Sequence, residues 1–113
     1  MKKNESEIRF HFDHERMDVY RLALEVNRWF GHVRFPAGRS HLLAQARRAI
    51  DSVVCNIGEG LSKRNGSGSN ALVIALGEAG ECCATLDCVT VRGGGEQQQK
   101  LRRVGAMLAK MTR

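Results

Sequence analysis

The residues of this chain that could do chemistry are four cysteines, four histidines and a series of polar residues at regular spacing. His11 and His14 stand three residues apart, but they lack the glutamate and the second helical turn of an H-E-x-x-H zinc site. No Glu-x-x-His pair of the di-iron type occurs. The glycine-containing stretches at 58–60 and 93–95 lack the Lys-Ser/Thr pair of a phosphate loop. These patterns predict no catalytic residue, no metal site and no cofactor.

The cysteines, Cys55, Cys82, Cys83 and Cys88, do not follow the C-x-x-C spacing of a zinc site. Adjacent cysteines such as Cys82 and Cys83 can hardly form a disulfide with each other. In a reducing compartment, free cysteines usually behave as small buried apolar residues. We therefore expect a packing role, with a redox or metal role as the alternative.

A polar series runs through residues 45–59 at steps of three and four: Gln45, Arg48, Ser52, Asn56 and Glu59. This spacing places all five on one side of a helix. Further along the chain, the acidic residues Glu78 and Glu81 are also three residues apart, which places them on one side of a helix. We expect Arg48 to pair with one of these two carboxylates, within one copy of the chain or between copies, because buried charges persist only when paired. Arg48→Ala should then lower stability or disassemble an oligomer. A ligand site is the alternative.

Helices must position these residues, and helix-breaking proline and glycine residues divide the chain into four segments. The breaks are Pro36, the Gly-Ser run at 66–69 and the glycines at 93–95. Apolar residues recur at steps of three and four in every segment between the breaks. The sequence therefore predicts an all-α, antiparallel up-and-down four-helix bundle in one domain, residues 1–113. The predicted helices are 15–34, 38–63, 69–91 and 96–112.

Composition limits the class of protein. A chain of 113 residues with 42% apolar and 27% charged residues is typical of one globular domain. No apolar run approaches the ~18 residues of a membrane-spanning helix. The first residues have no apolar stretch behind their lysines, so no signal peptide is expected and the cytoplasm is the expected location.

The net charge of +6 is unevenly distributed. Residues 69–91 carry three acidic and no basic side chains, whereas residues 92–113 carry six basic and one acidic. Such basic segments attract phosphate, although a solvated face is the alternative. All six aromatic residues lie within residues 10–35, so we expect phosphate contacts without base stacking. The candidate nucleic-acid-binding residues are Lys63, Arg64, Lys100, Arg102, Arg103 and Lys110.

The stretch QARRAIDSVVCNIGEG, residues 45–60, closely resembles the Q-x-x-R-A-x-x-S-I-x-x-N-I-A-E-G signature of a four-helix bundle family linked to 23S rRNA intervening sequences. Phe35-Pro36 before this stretch and Ile74-Ala75-Leu76-Gly77 after it also resemble that family. The chain departs from the pattern at three positions. Val53 replaces isoleucine, Gly58 replaces alanine, and Glu78 stands where a small serine is usual.

The resemblance implies a ring-like homopentamer, and in one subgroup a basic pentamer engages nucleic acid and a reverse transcriptase. The function predicted from the sequence is therefore a non-enzymatic oligomeric scaffold that binds RNA or DNA through phosphate contacts. A protein–protein interaction module without nucleic-acid binding is the alternative. An enzyme with a site between copies around Arg48 and Glu59 is the third hypothesis, and it would require a carboxylate with a strongly perturbed pKa.

Overall fold

The computed structural model describes residues 11–63 and 66–113, apart from the side chain of Ser67. A short 3-10 turn, Asp13–Arg16, precedes four helices: α1 (Asp18–Phe30), α2 (Ser40–Ser62), α3 (Gly66–Asp87) and α4 (Gly94–Met111). Each helix packs against the next one along the chain, and α4 returns to pack against α1. The predicted antiparallel four-helix bundle is confirmed, and the α2–α3 pair forms its most extensive interface.

The first helix is shorter than predicted, because it begins at Asp18 rather than at residue 15 and ends at Phe30 rather than at residue 34. The amide of Gly31 donates to the carbonyl oxygens of Asn27 and Arg28, at 3.2 and 3.1 Å, and closes the last turn. Phe35 precedes Pro36, and a residue before proline is sterically biased away from helical conformation. Pro36 then begins a tight turn to Arg39, in which Gly38 takes a φ of +85°.

The third helix lies several residues nearer the N-terminus than predicted, since it begins at Gly66 and ends at Asp87. The β-branched residues Val89, Thr90 and Val91 follow its end, and such residues have lower helix propensity. Gly93, with a φ of +84°, then turns the chain into α4. A positive φ suits glycine because it has no Cβ to clash with the backbone.

The core lies between the four helices and contains the apolar series predicted for each. Burial of these side chains supplies the main favourable free energy of folding. Near the end of α1, Phe30 is 0% exposed, whereas the neighbouring Trp29 is only partly buried. The largest fully buried side chains are those of Phe30, Ile50, Ile57, Leu101, Leu108, Val26, Val53, Val104 and Cys82.

Candidate nucleic-acid interface and polar cluster

Three residues of the predicted polar series meet the two later acidic residues where α2 faces α3, and we call these five the polar cluster: Gln45, Ser52, Asn56, Glu78 and Glu81. Gln45 Nε2 donates to Glu81 Oε2 at 3.3 Å. Asn56 Nδ2 donates to both the Oγ and the carbonyl oxygen of Ser52, at 3.0 and 2.9 Å. Ser52 also lies close enough to the Glu78 carboxyl to lower its pKa. The antiparallel packing of α2 and α3 therefore joins residues that lie up to 36 positions apart.

The two carboxylates of the polar cluster lie beside each other without a cation. Burial raises the pKa of the Glu78 carboxyl above its ordinary value of 4.5, and a hydrogen bond and charge repulsion from Glu81 raise it further. The nearby Ser52 side chain partly lowers this pKa. Within residues 11–63 and 66–113, neither carboxylate has a Lys or Arg at ion-pair distance. Among the described residues, the contacts of the acidic pair are therefore with neutral side chains and with each other.

The other two members of the predicted series do not join the polar cluster. Arg48 is exposed on α2 and forms no ion pair in the described part of the chain, so the predicted pairing is not made within one copy. Gln45 takes the contact with Glu81 instead. Glu59 pairs with Lys63 one turn further along α2, at 3.2 Å.

Two of the predicted nucleic-acid-binding lysines are already paired with carboxylates. Lys63 binds Glu59, as just described, with both side chains half exposed. Lys100 Nζ lies 3.1 Å from Glu25 Oε1 and its side chain is only 27% exposed. Exposed ion pairs contribute about 1 kcal/mol or less, so a phosphate could compete for either lysine. Arg64 lies outside the described residues.

The remaining predicted cations are exposed but do not share one face. Arg103 borders a groove between α4 and α1 that contains Glu25. Arg102 lies on the opposite flank of α4, beside α3 and Asp87. Lys110 lies near the other end of α4, in an apolar groove with Arg16 and Met17. The five predicted residues that the structure describes therefore do not form one continuous phosphate-binding surface.

A more concentrated basic region lies at one end of the bundle and was missed in the sequence analysis. Residues 26–50 contain five arginines and two histidines and no acidic residue, a signal that was readable in the sequence. The connections 31–39 and 88–93 both lie at this end. A Cβ placed on Gly93 would lie 3.2 Å from Trp29 Nε1, so the second connection lies against the end of α1. We call this region the basic end and define it by four exposed arginines on or beside the two connections: Arg28, Arg34, Arg39 and Arg92.

Packing contacts hold the basic end in place. Arg47 Nε donates to the carbonyl oxygen of Phe30 at 2.8 Å, which ties α2 to the end of α1. The rings of Trp29 and Phe30 meet edge to face with centroids 4.9 Å apart, and Phe35 lies 6.4 Å from Phe30. These aromatic contacts are internal to the fold. The exposed guanidinium groups of this end can bind phosphate in a bidentate geometry, and two exposed carboxylates, Asp87 and Glu96, lie at the same end of the bundle.

The cysteines are free thiols in different environments. Cys82 is fully buried, and burial raises the pKa of its thiol to about 12, with smaller contributions from nearby acidic groups. Cys83 is partly buried, and Cys55 and Cys88 are exposed. The expectation that all four pack as buried apolar residues therefore holds for Cys82 and is wrong for Cys55 and Cys88.

Alkylation should distinguish these thiols. In the native protein at mildly alkaline pH, iodoacetamide should modify Cys55 and Cys88, whereas Cys82 should react only after unfolding, because the thiolate is the reactive form. Mass spectrometry of the digested protein measures each site, with a urea-unfolded sample as the control. Modification of Cys82 at the same rate as Cys55 in the native protein would contradict its buried position.

The residues described include no group of three or more His, Cys, Asp or Glu side chains arranged to hold a metal ion. Among these residues, no helix has the length and apolar character needed to cross a membrane. Comparison of the chain with protein-family models and with curated proteins found no match.

Proposed function

We propose that this chain is a non-enzymatic cytoplasmic scaffold that assembles with copies of itself and binds RNA or DNA through phosphate contacts. The observation that carries the proposal is the basic end. Arginines from two connections separated by about fifty residues of sequence lie there, and residues 26–50, which contain Arg28, Arg34 and Arg39, carry no carboxylate. Guanidinium groups suit phosphate because they present several donors in a rigid plane and stay charged.

The mechanism is neutralisation of phosphates with release of condensed counterions. Such contacts position a nucleic acid but do not read its sequence. Trp29 and Phe30 pack against each other and Phe35 packs against Phe30, so base stacking is not part of the mechanism. Arg102 and Arg103, on opposite flanks of α4, and Lys110, near its other end, would make separate secondary contacts. Lys63 and Lys100 would join only by exchanging their carboxylate partners.

The resemblance of residues 45–60 to the family linked to 23S rRNA intervening sequences supports both the proposed self-assembly and the proposed binding of RNA or DNA. That family forms ring-like homopentamers, and one subgroup engages nucleic acid and a reverse transcriptase. By the same resemblance, a pentamer is the assembly we propose for this chain.

A protein–protein interaction module without nucleic acid is the second candidate function. It is favoured by the outer face of α3, where Val73 and Ile74 are 51% and 43% exposed. Apolar residues exposed together on one helix face are a common feature of interaction surfaces. The two candidates differ in what the arginines do, so removing arginines discriminates between them.

Substitutions at the basic end provide that test. Changing Arg34, Arg39 and Arg92 together to glutamine should lower affinity for a generic labelled RNA about tenfold or more at low salt, and should reduce the salt slope by about three. The matched control is Lys63→Gln, which removes a cation already paired with Glu59 and should change the slope by less than one. Equal affinity of the triple variant and the wild type would contradict a role for the basic end.

A further inference from the structure

The outer side of α3 is apolar although it faces away from the core. Val73 and Ile74 are 51% and 43% exposed there. A Cβ placed on Gly77, one turn further on, would meet no atom within 4 Å. Residues 66–91 contain no Lys or Arg that would keep a neighbouring chain at a distance. A helix with apolar residues on all sides is usually buried on all sides, yet nothing in the described part of one copy covers this side.

Two carboxylates lie on the same side of α3, beyond Ile74. Glu78 and Glu81 follow Ile74 by four and seven positions, which places all three on one flank of the helix. That flank is the one next to α2, because Gln45 and Ser52 of α2 are neighbours of the two carboxylates. The α2–α3 face, defined by Ile74, Glu78 and Glu81, therefore carries an aliphatic side chain followed by an acidic pair.

The opposite face of the bundle, between α1 and α4, has an apolar groove. Among the described residues, α1 does not pack against α3, nor α2 against α4, so the α1–α4 face lies opposite the α2–α3 face. The groove lies between the start of α1 and the end of α4 and has a volume of about 400 Å³. Its apolar lining consists of Met17, Val19, Met107 and Met111, and its charged residues are Arg16, Asp18 and Lys110.

A positively charged groove continues the α1–α4 face towards the basic end. Its charged lining has three cations and two carboxylates: Arg21, Lys100, Arg103, Asp18 and Glu25. Lys100 is paired with Glu25. Arg103 is exposed and forms no ion pair with any of the described residues. Its guanidinium is therefore available to a partner.

The packing of α3 on α4 gives the relative heights of the two faces along the bundle. A Cβ placed on Gly105 would lie 3.8 Å from Leu76 Cδ1. Gln98 Nε2 donates to the carbonyl oxygen of Cys83 at 3.0 Å. The two contacts are seven positions apart on each helix, so they define a single antiparallel register.

By this register the two faces carry complementary groups at the same height. Ile74 is level with Met107 of the apolar groove, and Glu78 is level with Arg103 of the positively charged groove. In a ring whose axis runs along the bundle, neighbouring copies are related by rotation alone, so groups that meet must lie at the same height. Such a ring brings an aliphatic side chain to an apolar groove and a carboxylate to an unpaired cation.

We propose that the α2–α3 face of each copy docks on the α1–α4 face of the next, with Ile74 in the apolar groove beside Met107 and Glu78 bound to Arg103. The inference rests on the proposed self-assembly and adds the two surfaces that make it and the contacts that set their register. A contact between two different faces closes into a ring or continues as a filament, whereas a two-fold contact uses one face only. The second copy is the occupant because the two faces complement each other in charge and in apolar character.

Charge reversal tests the docking in the absence of nucleic acid. We expect Glu78→Arg alone and Arg103→Glu alone each to raise the dissociation constant between copies about tenfold or more, because each places like charges together. The double variant Glu78→Arg/Arg103→Glu should recover the molar mass of the wild type, since every contact then holds a reversed pair. The matched control is Arg102→Glu, the same charge change on the other flank of α4, which should leave association unchanged.

Ile74→Ser tests the apolar half of the contact independently. Because Ile74 is 43% exposed, the serine variant should fold as the wild type does, whereas its copies should dissociate at higher concentration. For every variant, light scattering across a concentration series measures the molar mass, and the thermal transition shows that the protein is folded.

Each outcome has one meaning. A wild-type chain that stays monomeric at its highest soluble concentration overturns both the proposed self-assembly and this inference. A wild-type oligomer that is unaffected by the charge reversals and by Ile74→Ser overturns this inference alone. Single variants that dissociate without recovery in the double variant would show that Glu78 and Arg103 do not pair, and equal dissociation of the Arg102→Glu variant would show a general effect of charge. Either of these results also overturns the inference.

Discussion

Replacing Phe30 with alanine is expected to lower the free energy of unfolding by about 3–5 kcal/mol, the usual cost of truncating a fully buried aromatic side chain. Phe30 is 0% exposed and contacts the rings of Trp29 and Phe35. It also ends α1, and its carbonyl oxygen accepts the hydrogen bond from Arg47. The cavity left by alanine would therefore lie beneath the connection that carries Arg34 and Arg39.

The matched control for this substitution is Phe12→Ala. The Phe12 side chain is 54% exposed, so its removal should cost about 1 kcal/mol or less. Urea unfolding of both variants, followed by circular dichroism, measures the difference. If the two substitutions cost the same, Phe30 would not occupy the centre of the core.

The second large effect is expected for Gly68→Ala, at the contact between the end of α2 and the start of α3. A Cβ on Gly68 would overlap the carbonyl oxygen of Lys63 and would lie 3.0 Å from that of Gly60. Both obstacles are backbone atoms, so the helices must move apart to relieve the clash. Overpacking of this kind costs about 1–3 kcal/mol, and more where the backbone cannot adjust.

Gly95→Ala is the control for Gly68→Ala. Gly95 lies in the first turn of α4, and a Cβ there would meet no atom within 4 Å. Alanine is a better helix former than glycine by up to ~1 kcal/mol, so this variant should be at least as stable as the wild type. A Gly68→Ala variant that matches the Gly95→Ala variant in thermal stability would contradict the close α2–α3 approach.

The architecture was predictable because each helix carries its own apolar periodicity. The spacing of Val19, Leu22 and Val26, for example, identifies the buried side of α1 without any knowledge of its neighbours. The end of α1 was not predictable in the same way. Trp29 and Phe30 both fit an apolar series, and only the turn of the chain after Gly31 decides that Phe30 enters the core while Trp29 packs against the α3–α4 connection.

The candidate sites were also predictable only in part. The step between residues 45 and 56 placed Gln45, Ser52 and Asn56 on one side of α2, and the step from Glu78 to Glu81 placed both carboxylates on one side of α3. Rotamers and register decide the rest: Gln45 reaches Glu81 and Arg48 does not.

The basic end is not visible when charge is summed over the segments between the predicted breaks. Pro36 divides the acid-free stretch of residues 26–50 between two such segments, so its arginines fall into separate sums. Arg92 joins them only through the packing of the α3–α4 connection against Trp29, which no local pattern encodes.

The most direct test of phosphate binding is the affinity of the wild-type protein for a generic RNA and a duplex DNA of equal length, measured across a salt series. We predict binding at low salt that weakens linearly on a log–log plot, with little preference among sequences and a slope that counts the phosphates contacted. No binding at ~50 mM salt, where phosphate contacts should be strong, or an affinity that does not change with salt, would contradict the proposal.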